Sequence, residues 1–538
     1  MQENYMEVKQ QERRLGEALQ GSARARILGL TFDDVMRYFF GGNASVALFV
    51  LVLILTFLLK EGSGFFGQNL NNLRIYRQAG LEFVDLMREP VQGFSALTRA
   101  LSDVRLTRFK QLTATGNDSA AANESLAEFD AFNASLNRAV SGPRGLVSDL
   151  TEFASGVKTR AQVAVDMQEK RAMLERAGKL EEASAVKIEV VNFAAEAGLL
   201  RGAAAGWAPA VESMRTKLES AVSGARGADW ARGDAELERV LKRVEGFISE
   251  MGLVAARLEA WRWDAPVPLG KAVSAFLFGR EWLTASFWQD WYGMLPLVTG
   301  SLLVSLIAMV VAVPLSISAA IYISEVATPR EKALIKPYIE FISAIPSVVL
   351  GLFGIAILGT ALRNLSQIEA FRWIPGFPMS ERLNALTAGL LLAFTSIPTI
   401  FSLAEDALTN VPRHLKEASF ALGATRFQTL VRVLIPASLS GVISAVLLGF
   451  GRVIGETMVV LLCAGNRISI PNFSEGFGVL YQPVHTMTGI IAQEMGEVAQ
   501  GSIHYRALFM VGIVLFLLSL LINYIAQKVV RRYRISIG

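Results

Sequence analysis

The stretch EASFALGATRFQTLVRVLIPASLSG, residues 417–441, decides how the rest of the chain is read. Glu417-Ala418 is followed, after four intervening residues, by Gly423, then by apolar and basic residues at helical spacing. Pro436-Ala437 then leads through small residues into a long apolar run. A short amphipathic helix held between two membrane spans is a means of docking a cytoplasmic partner, not a catalytic site.

The composition agrees with a divided chain. Its 538 residues are 52% hydrophobic with a mean hydropathy of +0.39, yet 19% are charged, too many for a wholly embedded protein. The charge must therefore sit in parts that lie in water. A net charge of +4 does not point to nucleic acid, and many basic residues flank the apolar runs, as orientation in a membrane requires. Cys463 is the lone cysteine, and His414, His485 and His504 show no ligand spacing, so neither a disulfide framework nor a metal site is expected.

A membrane span needs about 20 mostly apolar residues. Six segments qualify: 42–59, 294–324, 339–362, 385–404, 441–465 and 507–526. The first has no small-residue cleavage site after it and reads as an uncleaved anchor. Lys528, Arg531, Arg532 and Arg534 place the C-terminus in the cytoplasm. Counting back through six spans puts the N-terminus there too, with Arg13, Arg14, Arg24, Arg26 and Arg37. The expected divisions are a cytoplasmic segment (1–41), a first transmembrane helix (42–60), an extra-cytoplasmic insertion (67–270), a core of five further spans (285–530) with a coupling loop at 405–438, and a basic tail (531–538). The expected location is the cell (inner) membrane.

The insertion is rich in Ala, Leu, Glu, Arg and Lys, and segments 81–112 and 161–197 carry apolar residues at helical spacing. A bundle of long helices is expected, with breaks near 116–117, 141–144 and 202–206. Its role is either a docking surface for a binding protein or accessory subunit, or a stabilising insertion. Trp261, Trp263, Trp282, Trp288, Trp291 and Tyr292 are expected at headgroup level, where an apolar ring with a polar tip is favoured.

Arg452 and Glu456 stand in the fifth apolar run, in GRVIGETM. Burying an arginine at a helix centre costs roughly 2.5–3.5 kcal/mol, so it needs a partner or a water-filled cavity. The i, i+4 spacing predicts a pair on one helix face. Such a pair either locks the bundle or provides a cationic point on an anion path, since guanidinium bonds phosphate bidentately. No phosphate-cradling loop is evident. The nearest approach, APVPLGKA at 265–272, lacks the first glycine and the hydroxyl residue, so energy must come from another polypeptide.

These residues together resemble the permease subunits of phosphate-specific ABC importers, of the PstC type. The resemblance rests on LLKEG (58–62), FLFGREW (276–282), YGMLPLVTG (292–300), 312–324 with Glu325, IPSVVLG (345–351), the coupling stretch, GRVIGETM (451–458), AGN (464–466), EMGE (494–497) and SIHYRAL (502–508). It covers about three-fifths of the chain and leaves the insertion out. It implies an all-α membrane protein with six spans, from which the inserted helical domain is a departure. It implies partners as well: a second homologous permease, an ATPase dimer binding ATP and Mg, and an extra-cytoplasmic phosphate-binding protein, with no cofactor on this chain. The ATPase-coupling residues it implies are Glu417, Ala418, Gly423, Ala424, Thr425 and Arg426, with Gly423 where a side chain would obstruct docking. Arg452 and Glu456 fall on the substrate path. Another oxyanion as cargo, or phosphate sensing through the insertion, are the alternatives.

Overall fold

The computed structural model describes residues 32–114, 118–231, 234–284, 289–371 and 373–533. Arg13, Arg14, Arg24 and Arg26, the break expected at 116–117, Trp288 and residues 534–538 lie outside the described residues. The fold is all-α with six helical segments long and apolar enough to cross a bilayer: Met36–Gln78, Leu295–Val326, Ser347–Gln367, Ala385–Thr409, Arg426–Gly455 and Ile503–Val529.

The chain enters on α1 (Phe32–Gln78), a single helix far longer than the apolar run 42–59. Its apolar half is exposed, and its C-terminal half packs on α20 (Ile503–Tyr533), where Phe57 meets Phe509 edge-on. The insertion follows the turn at Gly80, whose φ of +87° favours glycine and whose missing Cβ leaves room for Leu200. Four long helices form its core: α2 (Leu81–Ala114), α4 (Ala127–Arg176), α7 (Trp207–Gly227) and α8 (Ala235–Ala260), with α3 (Ser119–Ser125), α5 (Leu180–Ala185) and α6 (Phe193–Ala203) between them. The stripe Leu81, Val84, Met87, Val91, Phe94, Leu101 and Val104 is buried at three- and four-residue spacing, and meets Val240, Val244, Phe247 and Met251 of α8. That burial, not propensity, makes the bundle.

Two expected features of the bundle fail. Helix α4 runs unbroken through 141–144 although Pro143 lies inside it. Pro143, Val140 and Val147 are all buried in the same core, and packing on both sides outweighs a proline cost of about 3 kcal/mol. The helix expected over 161–197 instead stops at Arg176, because Gly178 takes φ +76° and closes the end with Lys179 N–H donating to Leu174 O. The break near 202–206 is present as a short 3-10 turn, Ala204–Gly206.

The chain leaves the insertion through α9 (Leu269–Leu277) and a two-residue hairpin, β1 (Trp282–Leu283) with β2 (Trp291–Tyr292). Entry and exit are clasped. Arg77 and Lys271 both bond Glu82, each at 2.5 Å, and Arg77 Nη1 donates to Ala265 O at 3.0 Å. Lys271, from the stretch nearest to a phosphate loop, is thus engaged by a carboxylate. Burial alone would raise the Glu82 carboxyl, but the bonds from Arg77 and Lys271 hold it at about 2. A depressed carboxyl contributes its stability above the ordinary carboxylate range and loses it as pH falls through about 2. We therefore expect the unfolding temperature of the purified protein to drop between pH 5 and pH 2, and Glu82→Gln to flatten that drop in a calorimetric pH series. An unchanged slope in the variant would place the acid sensitivity elsewhere.

The described aromatic residues of this region pack within the protein. Trp261 packs on Phe83 in the bundle core, Trp291 on Tyr76, and Trp282 on Tyr292, all at ring-contact distance. They are structural plugs at the foot of the insertion, and Trp263 also packs against the bundle core.

The permease core is centred on α10 (Leu295–Ile321), α14 (Ala385–Thr409), α17 (Ile435–Gly455) and α18 (Met458–Cys463). The expected third span, 339–362, is divided. Ile339–Ile342 end the separate helix α11 (Pro329–Ile342), and Pro346, unable to donate a backbone bond, caps α12 (Ser347–Phe353). α12 continues through a π turn (Gly354–Leu358) into α13 (Gly359–Gln367).

Candidate functional site

The fifth expected span, 441–465, is also divided, and the division falls on the candidate path. Helix α17 ends at Gly455. Glu456 follows in an extended conformation, φ −73° and ψ 131°, and α18 restarts at Met458. Arg452 is therefore in the last turn of one helix, and Glu456 lies beyond it. The i, i+4 pair is not formed: among the described residues no ion pair joins the two. Arg452 Nη1 instead donates to Thr399 Oγ1 at 3.4 Å, while the Glu456 carbonyl accepts from Thr488 Oγ1 at 2.9 Å. A broken helix is tolerated at membrane depth where other protein or a water-lined cavity satisfies the freed backbone, and Thr488 does part of that here.

Depth follows from Thr399. It lies 14 residues after Ala385 and 10 before Thr409 on α14, beside Pro398, which interrupts that helix's hydrogen bonding. At about 1.5 Å per residue this is near the middle of the span. Arg452, its neighbour, is exposed on the single chain. A guanidinium bare at that depth is costly against lipid, so this face meets another protein surface or water.

Thr488 belongs to a segment that re-enters the core. Helix α19 (Met487–Glu494) packs on α20, Met487 N–H donates to Ser301 Oγ at 3.0 Å, and a Cβ on Gly300 would lie 2.1 Å from His485 O. At its end Glu494 accepts from Trp282 Nε1 at 3.2 Å and pairs with His504 Nε2 at 2.7 Å, with Tyr292 against the His504 ring. FLFGREW, YGMLPLVTG, EMGE and SIHYRAL thus converge on one clasp. These contacts hold the end of α19 to the hairpin and to the start of α20.

The coupling stretch is at the opposite ends of the spans. Helix α15 (Arg413–Ala421) has no buried residue. Gly423 takes φ +82°, which closes α15 with Gly423 N–H on Phe420 O and Ala424 N–H on Ser419 O. Thr425 and Gln428 then form a capping box that starts α16 (Arg426–Thr429). Glu417, Ala418, Thr425 and Arg426 are exposed, and Ala424 is half-buried. A Cβ on Gly423 would meet nothing within 4 Å, so within this chain it is the backbone conformation, not space, that favours glycine. Leu422 is 90% and Phe427 71% exposed, an apolar pair flanking that turn.

Sequence reading missed what holds this loop to the core. Lys416 Nζ pairs with Glu325 at 2.5 Å and Lys336 with Glu405 at 2.7 Å. Glu325 lies in the π turn (Tyr322–Val326) that ends the second span, 91 residues from Lys416. A pairing so distant leaves no local periodic signal.

Residues 312–535 match the family model of binding-protein-dependent transport system inner membrane components. The chain is 34% identical over 258 residues to a probable ABC transporter permease protein, YqgH, of Bacillus subtilis, covering 46% of this chain and 78% of that protein. It is 30% identical to the phosphate transport system permease proteins PstC of Pasteurella multocida, over 50% of this chain and 82% of the relative, and of Xylella fastidiosa (strain Temecula1), over 58% and 95%. An inward-facing crystal form of the MetNI methionine ABC transporter aligns at 18% identity over 45% of this chain and 94% of that one, with a TM-score of 0.33. Six helices of membrane-crossing length and the family match define a multi-pass membrane permease. The chain belongs to the PstC-type permeases of the binding-protein-dependent ABC importers.

Proposed function

We propose that this chain translocates inorganic phosphate inward across the cell membrane, driven by ATP and Mg bound on a partner ATPase dimer. The observation that carries the reading is Arg452, exposed at mid-span beside Thr399 where the helix breaks. Its bare face calls for a second homologous permease, so that the two chains enclose a path with a cation in its wall. Guanidinium gives hydrogenphosphate two parallel bonds, whereas an ammonium would act as a point charge. The names of the PstC relatives support phosphate as cargo.

In this arrangement both termini are cytoplasmic and the insertion faces outward, where a phosphate-binding protein delivers the anion. The ATPase dimer seats α15 and the Gly423 turn, and Glu417, Ala418, Ala424, Thr425 and Arg426 form its contact surface. Closure of the ATPase pair is passed through Lys416–Glu325 to the second span. The test is uptake of labelled phosphate by vesicles holding this chain, its neighbouring permease, the ATPase and the binding protein. ATP-dependent accumulation resistant to excess sulfate and molybdate is expected. Accumulation of another oxyanion in place of phosphate would reject the cargo and keep the importer.

A further inference from the structure

At the foot of the insertion a polar cavity of about 800 Å³ opens between α4 and the adjoining ends of α1 and α20. Arg506, in the first turns of α20, lines it. Among the described residues no hydrogen bond or ion pair reaches its guanidinium, and its Nε is sealed from solvent without an acceptor. Room for the group is made by Gly64 of α1, where a Cβ would lie 1.6 Å from Arg506 Nη1. On the same wall Gln68 gives its Nε2 hydrogen to Gly501 O at 3.2 Å and leaves a buried, unpaired Oε1. Across the cavity burial holds the Lys158 ammonium below its ordinary range, and the Asp290 carboxylate opposes that effect. The charge of Lys158 is thus answered from within the chain. Asp166, which accepts from Gln162 at 3.1 Å, and Glu169 stand on the exposed rim.

An unpaired buried donor and an unpaired buried acceptor in one cavity are each costly, more so for the charged group. A single anion that also carries a hydroxyl would satisfy both. We propose that this cavity is a binding site for a phosphate-bearing anion, with Arg506 donating to its oxygens and a hydroxyl of the same ligand donating to Gln68 Oε1. Two sources share that chemistry: the headgroup of phosphatidylglycerol, reaching in where α20 meets the bilayer surface, and free hydrogenphosphate. Either would fasten α4 of the insertion to the last span. The site is separate from Arg452 and does not depend on the cargo proposed above.

The full chain, reconstituted in phosphatidylcholine nanodiscs, tests this by its thermal unfolding midpoint. One arm adds phosphatidylglycerol to the discs, and the other titrates inorganic phosphate into discs of phosphatidylcholine alone. A rise of several degrees is expected in at least one arm, and that arm names the source. Arg506→Gln is expected to abolish the rise. Asn72→Asp, which places a carboxylate in the lining without removing the arginine, is expected to weaken the apparent affinity at least tenfold, and serves if Arg506→Gln does not fold. No rise in either arm, or a rise of equal size in the variants that fold, would overturn the proposal.

Discussion

Arg452→Ala is expected to abolish phosphate uptake by the reconstituted complex while the complex still assembles and the chain still folds. The structure gives the reason for both halves. Among the described residues the guanidinium has one long hydrogen bond, 3.4 Å to Thr399, so truncation removes little that holds the core together. What it removes is a positive charge near mid-membrane, where an anion crossing hydrocarbon has no other obvious compensation. If Arg452 were instead a lock between helices, the variant would lose assembly along with transport, and size-exclusion of the complex separates the two outcomes. Arg452→Lys keeps the charge and loses the planar fork; about a tenfold fall in uptake rate is expected, equivalent to about 1.4 kcal/mol. Glu456→Gln is expected to be milder than Arg452→Ala, because the side chains are not paired. Uptake at the normal rate in Arg452→Ala would remove the arginine from the path.

Most of the fold was legible because apolar runs and three- and four-residue stripes follow directly from which surfaces must leave water. The stripe from Leu81 to Val104 is buried as its spacing predicts. What failed was local punctuation inside long patterns. Pro143 lies in an expected break, yet the core on either side of it keeps α4 continuous; the apolar spacing over 161–197 does not register Gly178, whose positive φ ends the helix. Hydropathy also smoothed over Pro346 and the Gly455–Thr457 break, since window averages do not register a helix that stops and restarts within one apolar run. The candidate site suffered most from that error. Placing Arg452 and Glu456 on one continuous helix produced a pair that the chain does not make. The Lys416–Glu325 tie was invisible for a different reason: it depends on how two spans sit side by side, which no spacing in either one encodes.

Gly423→Asp is expected to reduce recovery of the ATPase in a pull-down at least tenfold and to lower uptake in proportion. Two costs combine at this position. The first is conformational: φ is +82°, where an ordinary L residue pays roughly 1–2 kcal/mol, and the turn it makes sets the angle between α15 and α16. The second is steric and electrostatic. No described residue of this chain lies within 4 Å of a Cβ at Gly423, so an added side chain meets open space in the turn flanked by Leu422 and Phe427, the two most exposed apolar residues of the loop. Those residues are the natural inserts for a groove on a partner, and a carboxylate beside them would be desolvated on docking. Gly423→Asn separates the two costs, since asparagine tolerates the left-handed conformation and matches aspartate in size without its charge. If docking clearance dominates, Asn loses the ATPase almost as fully as Asp does. If turn geometry dominates, Asn retains it and Gly423→Ala becomes the more damaging neutral change. An intact complex with Gly423→Asp would show that the partner does not seat on this turn, and the docking surface would then have to be sought along α11, where Leu334, Tyr338 and Phe341 are also exposed.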